Sequence, residues 1–138
     1  MADIRHSIQI TAPEERIYAL VGTANGFGEW WATDIAERDG VVELGFFHRA
    51  TIYRLRLTIA QAPASAEWVC ESGDEWGGTR IGFQIEGTFL RFSHAGWREE
   101  SEYFRSCNTT WGALMFRLKA AAEGKAPGPL FTREGWVA

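Results

Sequence analysis

The order of apolar and polar positions divides the chain into a strand with two small helices, a run of strands, and one long closing helix. From about Arg98 to Gly124, residues Phe104, Cys107, Trp111, Leu114, Met115, Leu118 and Ala122 fall on one stripe at about 100° per residue. Glu102, Arg105, Arg117 and Lys119 point elsewhere. Glu99, Glu100 and Glu102 suit the positive end of a helix dipole and Lys119 and Lys125 the negative end, while Gly124, Pro127, Gly128 and Pro129 stop it. The pattern predicts an amphipathic helix roughly 35 Å long. Ser106 to Thr110 and Gly112 are poor helix formers inside it. Either packing overrides them, the expected outcome, or the helix bends near Trp111. A stripe that long needs a partner of similar length.

Alternation supplies one. Ile4 to Ile10 reads as a strand with either Ile4, His6, Ile8 and Ile10 or their neighbours facing in. Thr11 or Ala12 then caps a short helix with Pro13 in its first turn and Ile17, Leu20 and Val21 buried. Gly22 and Gly26 break it, and Phe27 to Trp31 forms a second helical turn. From Ile35 the pattern is all strand. Val42, Leu44 and Phe46 share a face that His48 continues, followed by Tyr53, Leu55, Leu57 and Ile59, then Trp68 with Cys70. Beyond a hairpin loop at Gly73–Gly78 come Ile81, Phe83 and Ile85, a tight turn at Glu86-Gly87, and Leu90, Phe92 and His94. Short turns with clean alternation imply an antiparallel meander, one face wet and one covered. The expected architecture is α+β, a curved antiparallel sheet wrapped around the terminal helix. One domain is expected over residues 1–138, with its core at about 3–124 and a tail at 125–138.

Charge narrows the partners. A net charge of −4 without a basic run argues against nucleic acid and anionic membrane surfaces. No apolar signal region or membrane-spanning run is visible, so a soluble cytoplasmic protein is expected, without membrane insertion. Cys70 and Cys107 lack CxxC spacing and read as two buried thiols rather than a disulfide. His6, His48 and His94 lie on separate strands with no i,i+4 pair, so no metal site and no cofactor is expected. The Gly73–Thr79 segment lacks a phosphate-loop pattern, and its Asp74 and Glu75 would repel phosphate.

Several segments together resemble a known superfamily: Ala12 to Tyr18, Trp30-Trp31, Tyr53 to Leu57, Glu67 to Cys70, Gly78 to Ile81, Phe92 to Trp97 and Trp111 to Leu114. The chain is similar to the SRPBCC superfamily, the helix-grip fold of START lipid-transfer domains, birch pollen allergens and polyketide cyclases. Within it, the subgroup named after the activator of the 90-kDa heat-shock chaperone's ATPase is the most similar. The resemblance covers about Asp3 to Gly124. The short Glu86-Gly87 turn departs from it, and Gly128 to Ala138 has no counterpart. It implies a cavity between sheet and helix.

The inward face would line that cavity. The sheet contributes Leu44, Phe46, Tyr53 and Leu55, then Trp68 and Cys70, then Phe83, Leu90, Phe92 and His94; the helix contributes Trp111, Leu114 and Met115. A solid core from the same residues is the competing expectation. The aromatic share of 14% suits either outcome. His94, next to Gly96-Trp97, is expected to bond backbone. Three functions stay open: binding of a small apolar or aromatic ligand; a cyclase- or dehydratase-like enzyme using His94, Tyr53 or His48 as acid or base; and a chaperone ATPase regulator. Phe116, roughly opposite Trp111, and the apolar tail residues Leu130, Phe131, Trp136 and Val137 allow a homodimer, unless the tail folds back.

Overall fold

The computed structural model describes residues 2–135; Met1, Trp136, Val137 and Ala138, the last part of the apolar tail, lie outside the described residues. Among the described residues, seven strands form one antiparallel sheet in the order β1-β7-β6-β5-β4-β3-β2. They are β1 (Ala2–Gln9), β2 (Asp34–Arg38), β3 (Val41–Phe46), β4 (Thr51–Gln61), β5 (Ser65–Cys70), β6 (Arg80–Glu86) and β7 (Phe89–Trp97). The chain leaves β1 for α1 (Glu14–Val21) and α2 (Ala24–Phe27), and closes with α3 (Glu102–Ala122). This is the antiparallel sheet with a terminal helix expected from the alternation, and the helix-grip fold that the resemblance implies. No helix among the described residues is long and apolar enough to cross a membrane.

The long helix is a single element of 21 residues. It begins four residues later than the stripe predicts, because β7 runs on to Trp97 and the Ser101 hydroxyl caps the first turn by accepting from the Phe104 N–H at 3.1 Å. Its polar stretch is accommodated without a break: the Thr109 and Thr110 hydroxyls bond back to the Arg105 and Ser106 carbonyls at 3.2 and 3.0 Å. The buried stripe consists of Phe104, Cys107, Trp111, Leu114, Met115, Leu118, Ala121 and Ala122.

Three sequence expectations about the early elements shift. Pro13, not Thr11 or Ala12, is the N-cap of α1, and no side chain bonds to that end. The second helix is Ala24–Phe27, capped by the Thr23 hydroxyl, with turns rather than helix through Trp30-Trp31. Gly26 therefore sits inside a helix, where the crossing of α1 and α2 leaves no room: a Cβ there would lie 2.1 Å from the Ala19 carbonyl oxygen. Two indoles satisfy carbonyls at the end of α1: Trp30 Nε1 donates to Leu20 O and Trp68 Nε1 to Val21 O, both at 2.9 Å.

On the sheet, the inward alternation ends at Phe46. Phe47, His48 and Arg49 all have positive φ (54°, 55° and 67°), reversing the chain, so His48 is exposed rather than inward. The β4 alternation fails at its far end, where a register shift between Leu57 and Ile59 leaves Ile59 exposed. Residues after Gly124 fold back. Arg117 donates to the Pro127 and Gly128 carbonyls, Leu130 N to Trp30 O at 3.0 Å, and Phe131 N to Trp31 O at 2.9 Å, burying Leu130 and Phe131.

Candidate functional site

The centre of the inward face is a hydrogen-bonded chain. Trp111 Nε1 donates to His94 Nδ1 at 3.1 Å, and His94 Nε2 meets Thr79 Oγ1 at 2.8 Å. Indole N–H can only donate, so Nδ1 must be the unprotonated nitrogen and Nε2 carries the proton. Thr79 then accepts from the ring and donates its own hydroxyl hydrogen to Trp76 O at 2.6 Å. Every polar atom of this fully buried imidazole is occupied, by side chains and not by the backbone partner expected from sequence. Burial lowers the His94 pKa to about 3, because an imidazolium here would lose its hydration. His94 is thus a neutral, structural histidine.

In front of Trp111 the packing opens into a cavity of about 250 Å³. Phe46, Thr51 and Tyr53 bound it on the sheet side, and Tyr103, Cys107, Thr110, Trp111 and Leu114 on the helix side. Trp31, Phe47, Trp76, Ser106 and Phe131 complete its walls. Among the described residues, none that lines it carries a formal charge. The rings are held rigidly: Tyr53 stacks on Trp76 with centroids 3.8 Å apart and planes 9° apart, Trp31 packs on Trp111 at 4.9 Å, and Phe131 meets Phe46 edge-on at 5.1 Å. Gly73 makes the Tyr53–Trp76 stack possible. It turns the hairpin loop at φ +96° and lies so close that a Cβ would come within 3.0 Å of the Tyr53 ring.

The polar tips converge around Cys107. The Tyr53 and Tyr103 hydroxyls are hydrogen-bonded to each other. Trp76 Nε1 is buried against the Cys107 thiol, a weak hydrogen-bond acceptor. Burial pushes all these acids up: Tyr103 to about 12, Tyr53 further, and the Cys107 thiol above the ordinary thiol range. At neutral pH the cavity therefore presents neutral phenols and a neutral thiol, beside the hydroxyl residues Thr51, Ser106 and Thr110.

The sequence-predicted lining residues divide. Phe46, Tyr53, Trp111 and Leu114 are on the cavity wall; Leu44, Leu55, Trp68, Cys70, Phe83, Leu90, Phe92 and Met115 are in the packed core behind it, with His94. The Cys70 thiol donates to Ser72 O at 3.1 Å, and neither cysteine is in a disulfide. Of the candidate acid–base groups, Tyr53 reaches the cavity, His94 is enclosed behind Trp111, and His48 is on the exposed turn. Trp31, Trp76, Tyr103 and Phe131 escaped the sequence reading because they come from turns, the first helical turn and the tail, where neither the period-2 nor the stripe rule applies. Trp76 alone had a signal, as the large apolar residue of a glycine-rich loop.

A second concavity, an open trough of about 560 Å³, lies on the outer face of the sheet around Gly82 and Ser93. Charges of both signs border it, including Arg5, Glu67, Arg80 and Arg91, so it does not match an apolar ligand. Among the described residues no group of three or more His, Cys, Asp or Glu could hold a metal ion.

No protein-family model matches the chain, and neither does any curated protein sequence. Solved structures do. The Aha1 dimer from Colwellia psychrerythraea, determined in solution, is 30% identical with a TM-score of 0.79, over 91% of this chain and 98% of that one. A Bacillus halodurans protein is 18% identical with a TM-score of 0.69, over 88% and 97%. A protein of the dynemicin biosynthetic locus is 12% identical with a TM-score of 0.71, over 91% of this chain and 48% of that one. The last two share the fold alone.

Proposed function

The chain belongs to the SRPBCC superfamily, in its subgroup of homologues of the activator of 90-kDa heat-shock protein ATPase, and from that premise we propose that it binds a small apolar or aromatic molecule. One observation carries this reading: the cavity of about 250 Å³ beside Trp111 is walled by rigid rings and lined by no charged residue among those described. An apolar cavity of about 150 Å³ already holds benzene, so this one has room for about two fused rings. In this reading the core of residues 3–124 and the folded-back tail work as a single domain. An enzymatic role has less support, since general acid–base work at neutral pH needs groups titrating near 7 and burial moves the cavity phenols away from it. The chaperone reading rests on the subgroup's name.

The test is occupancy. 2-Ethylnaphthalene should raise the melting temperature of the wild-type protein and leave that of Thr110→Phe unchanged, because a ring at position 110 fills the cavity from the helix side. The variant's own melting temperature serves as the control for folding. Equal stabilisation of both proteins, or of neither, would count against binding at this site.

A homodimer is the second part of the proposal. The Colwellia relative is a dimer, and on the outer face of α3 Phe116 is 69% exposed. Light scattering should report a dimer at tens of micromolar for the wild type and a monomer for Phe116→Asp. A wild-type monomer at that concentration rejects it.

A further inference from the structure

Resting on the cavity-binding reading, we propose that Phe131, brought in by the returning tail, sets the size of the ligand: a body of about two rings fits, and one extended by a further ring is excluded by the Phe131 side chain.

The cavity walls differ in how they are held. Trp31, Trp76 and Trp111 pack on one another, with centroids between 4.9 and 6.4 Å apart, so none can be cut back without disturbing the others. Phe131 is fixed through its backbone. Its N–H donates to Trp31 O at 2.9 Å, its carbonyl accepts from Thr33 N at 3.0 Å, and Leu130 N donates to Trp30 O at 3.0 Å. Before it, Arg117 holds the Pro127 and Gly128 carbonyls; after it, His48 N donates to Arg133 O at 2.7 Å. The bonds that place this strap are made to main chain, so the Phe131 side chain can be changed with the strap in place. That side chain is buried and lines the cavity, edge-on to Phe46 and Phe47 at 5.1 and 6.1 Å.

The direction of entry makes it an end wall. Along α3 the cavity is bordered from Tyr103 to Leu114, about 16 Å of helix. The Tyr53–Tyr103 hydroxyl pair stands at one end. The tail arrives from the other, because Arg117, which holds it, is about one turn past Leu114. Between the ends, exposed Ser106 and half-buried Thr51 and Thr110 border the cavity, so an apolar extension there would meet hydroxyls and water and gain nothing. A third ring on the ligand therefore competes for the space of the Phe131 ring, and removing that ring opens it.

2-Ethylnaphthalene and 2-phenylnaphthalene test this, since the second adds a ring like the one that Phe131→Ala removes. Dissociation constants come from fluorescence titration of the full chain at neutral pH. In the wild type the phenyl compound should bind no tighter than the ethyl compound, although it is the more hydrophobic. Phe131→Ala should shift the ratio of the two affinities about tenfold or more toward the phenyl compound, and Phe131→Leu in the same direction by about threefold. The Phe131-strap bond from the Thr33 amide should keep its protection from hydrogen exchange in both variants. An unchanged ratio in both variants, or tighter binding of the phenyl compound by the wild type, overturns the end-wall inference and leaves the cavity reading standing. Loss of protection at Thr33 in both variants shows the side chain to be holding the strap, and overturns it too. Binding of neither probe by the wild type overturns the cavity reading as well.

Discussion

His94 shows what one residue contributes to this interior. Its two nitrogens join the helix, through Trp111, to the loop before β6, through Thr79, and the geometry admits only the neutral ring. The consequence for pH follows from the sign. With its folded pKa lowered to about 3, the histidine stays neutral in the native state at pH values where the unfolded chain takes up a proton. Its contribution is complete above about pH 6.5 and is lost progressively as pH falls toward 3. Between pH 7 and 4.5 this single site should cost about 2–3 kcal/mol of stability. Gln can accept and donate but does not titrate, so in His94→Gln urea midpoints at the two pH values should differ by much less than in the wild type. Parallel losses in both proteins would place the acid sensitivity elsewhere. Alternation made His94 legible as inward; its partners were not, because Thr79 and Trp111 lie 15 and 17 residues away along the chain.

At the scale of elements, two glycines separate packing from propensity. Gly112 lies mid-helix, where an added Cβ would meet only His6 Cε1, at an ordinary 3.9 Å. Gly112→Ala should therefore stabilise α3, by about 0.5–1 kcal/mol in denaturant unfolding. Gly26 is the opposite case. A Cβ on it would lie 2.1 Å from Ala19 O, an atom of the backbone that cannot swing aside, so Gly26→Ala should cost several kcal/mol by separating α1 from α2. A mild effect at Gly26, or a loss at Gly112, would show the helix contacts to be drawn wrongly. The strands were readable from sequence because period 2 is unambiguous in runs such as Ile81, Phe83 and Ile85. The element ends were not: the β3–β4 turn uses positive φ at three non-glycine residues, and no composition rule marks Phe47-His48-Arg49 as a reversal.

For the whole molecule, the sheet, helix and tail leave an aromatic-walled space among the described residues, and it is off the centre of the inward face. The behind-Trp111 residues predicted as lining are packed ring on ring, as in the contacts of Phe92 with Trp111 and Phe83. The opening moved toward the β3–β4 end because the Gly73 loop and the returning tail bring in Trp76 and Phe131, two placements that depend on long-range closure. The indole N–H resonances report on this directly, since each tryptophan gives a separate signal. On titration with 2-ethylnaphthalene, the account predicts saturable shifts at Trp31, Trp76 and Trp111, the three indoles on the cavity wall. Trp30 and Trp68, bonded to Leu20 O and Val21 O behind the wall, should stay still. Shifts at Trp30 and Trp68 with the three wall indoles unmoved, or no shift at any indole up to the solubility of the probe, would contradict it.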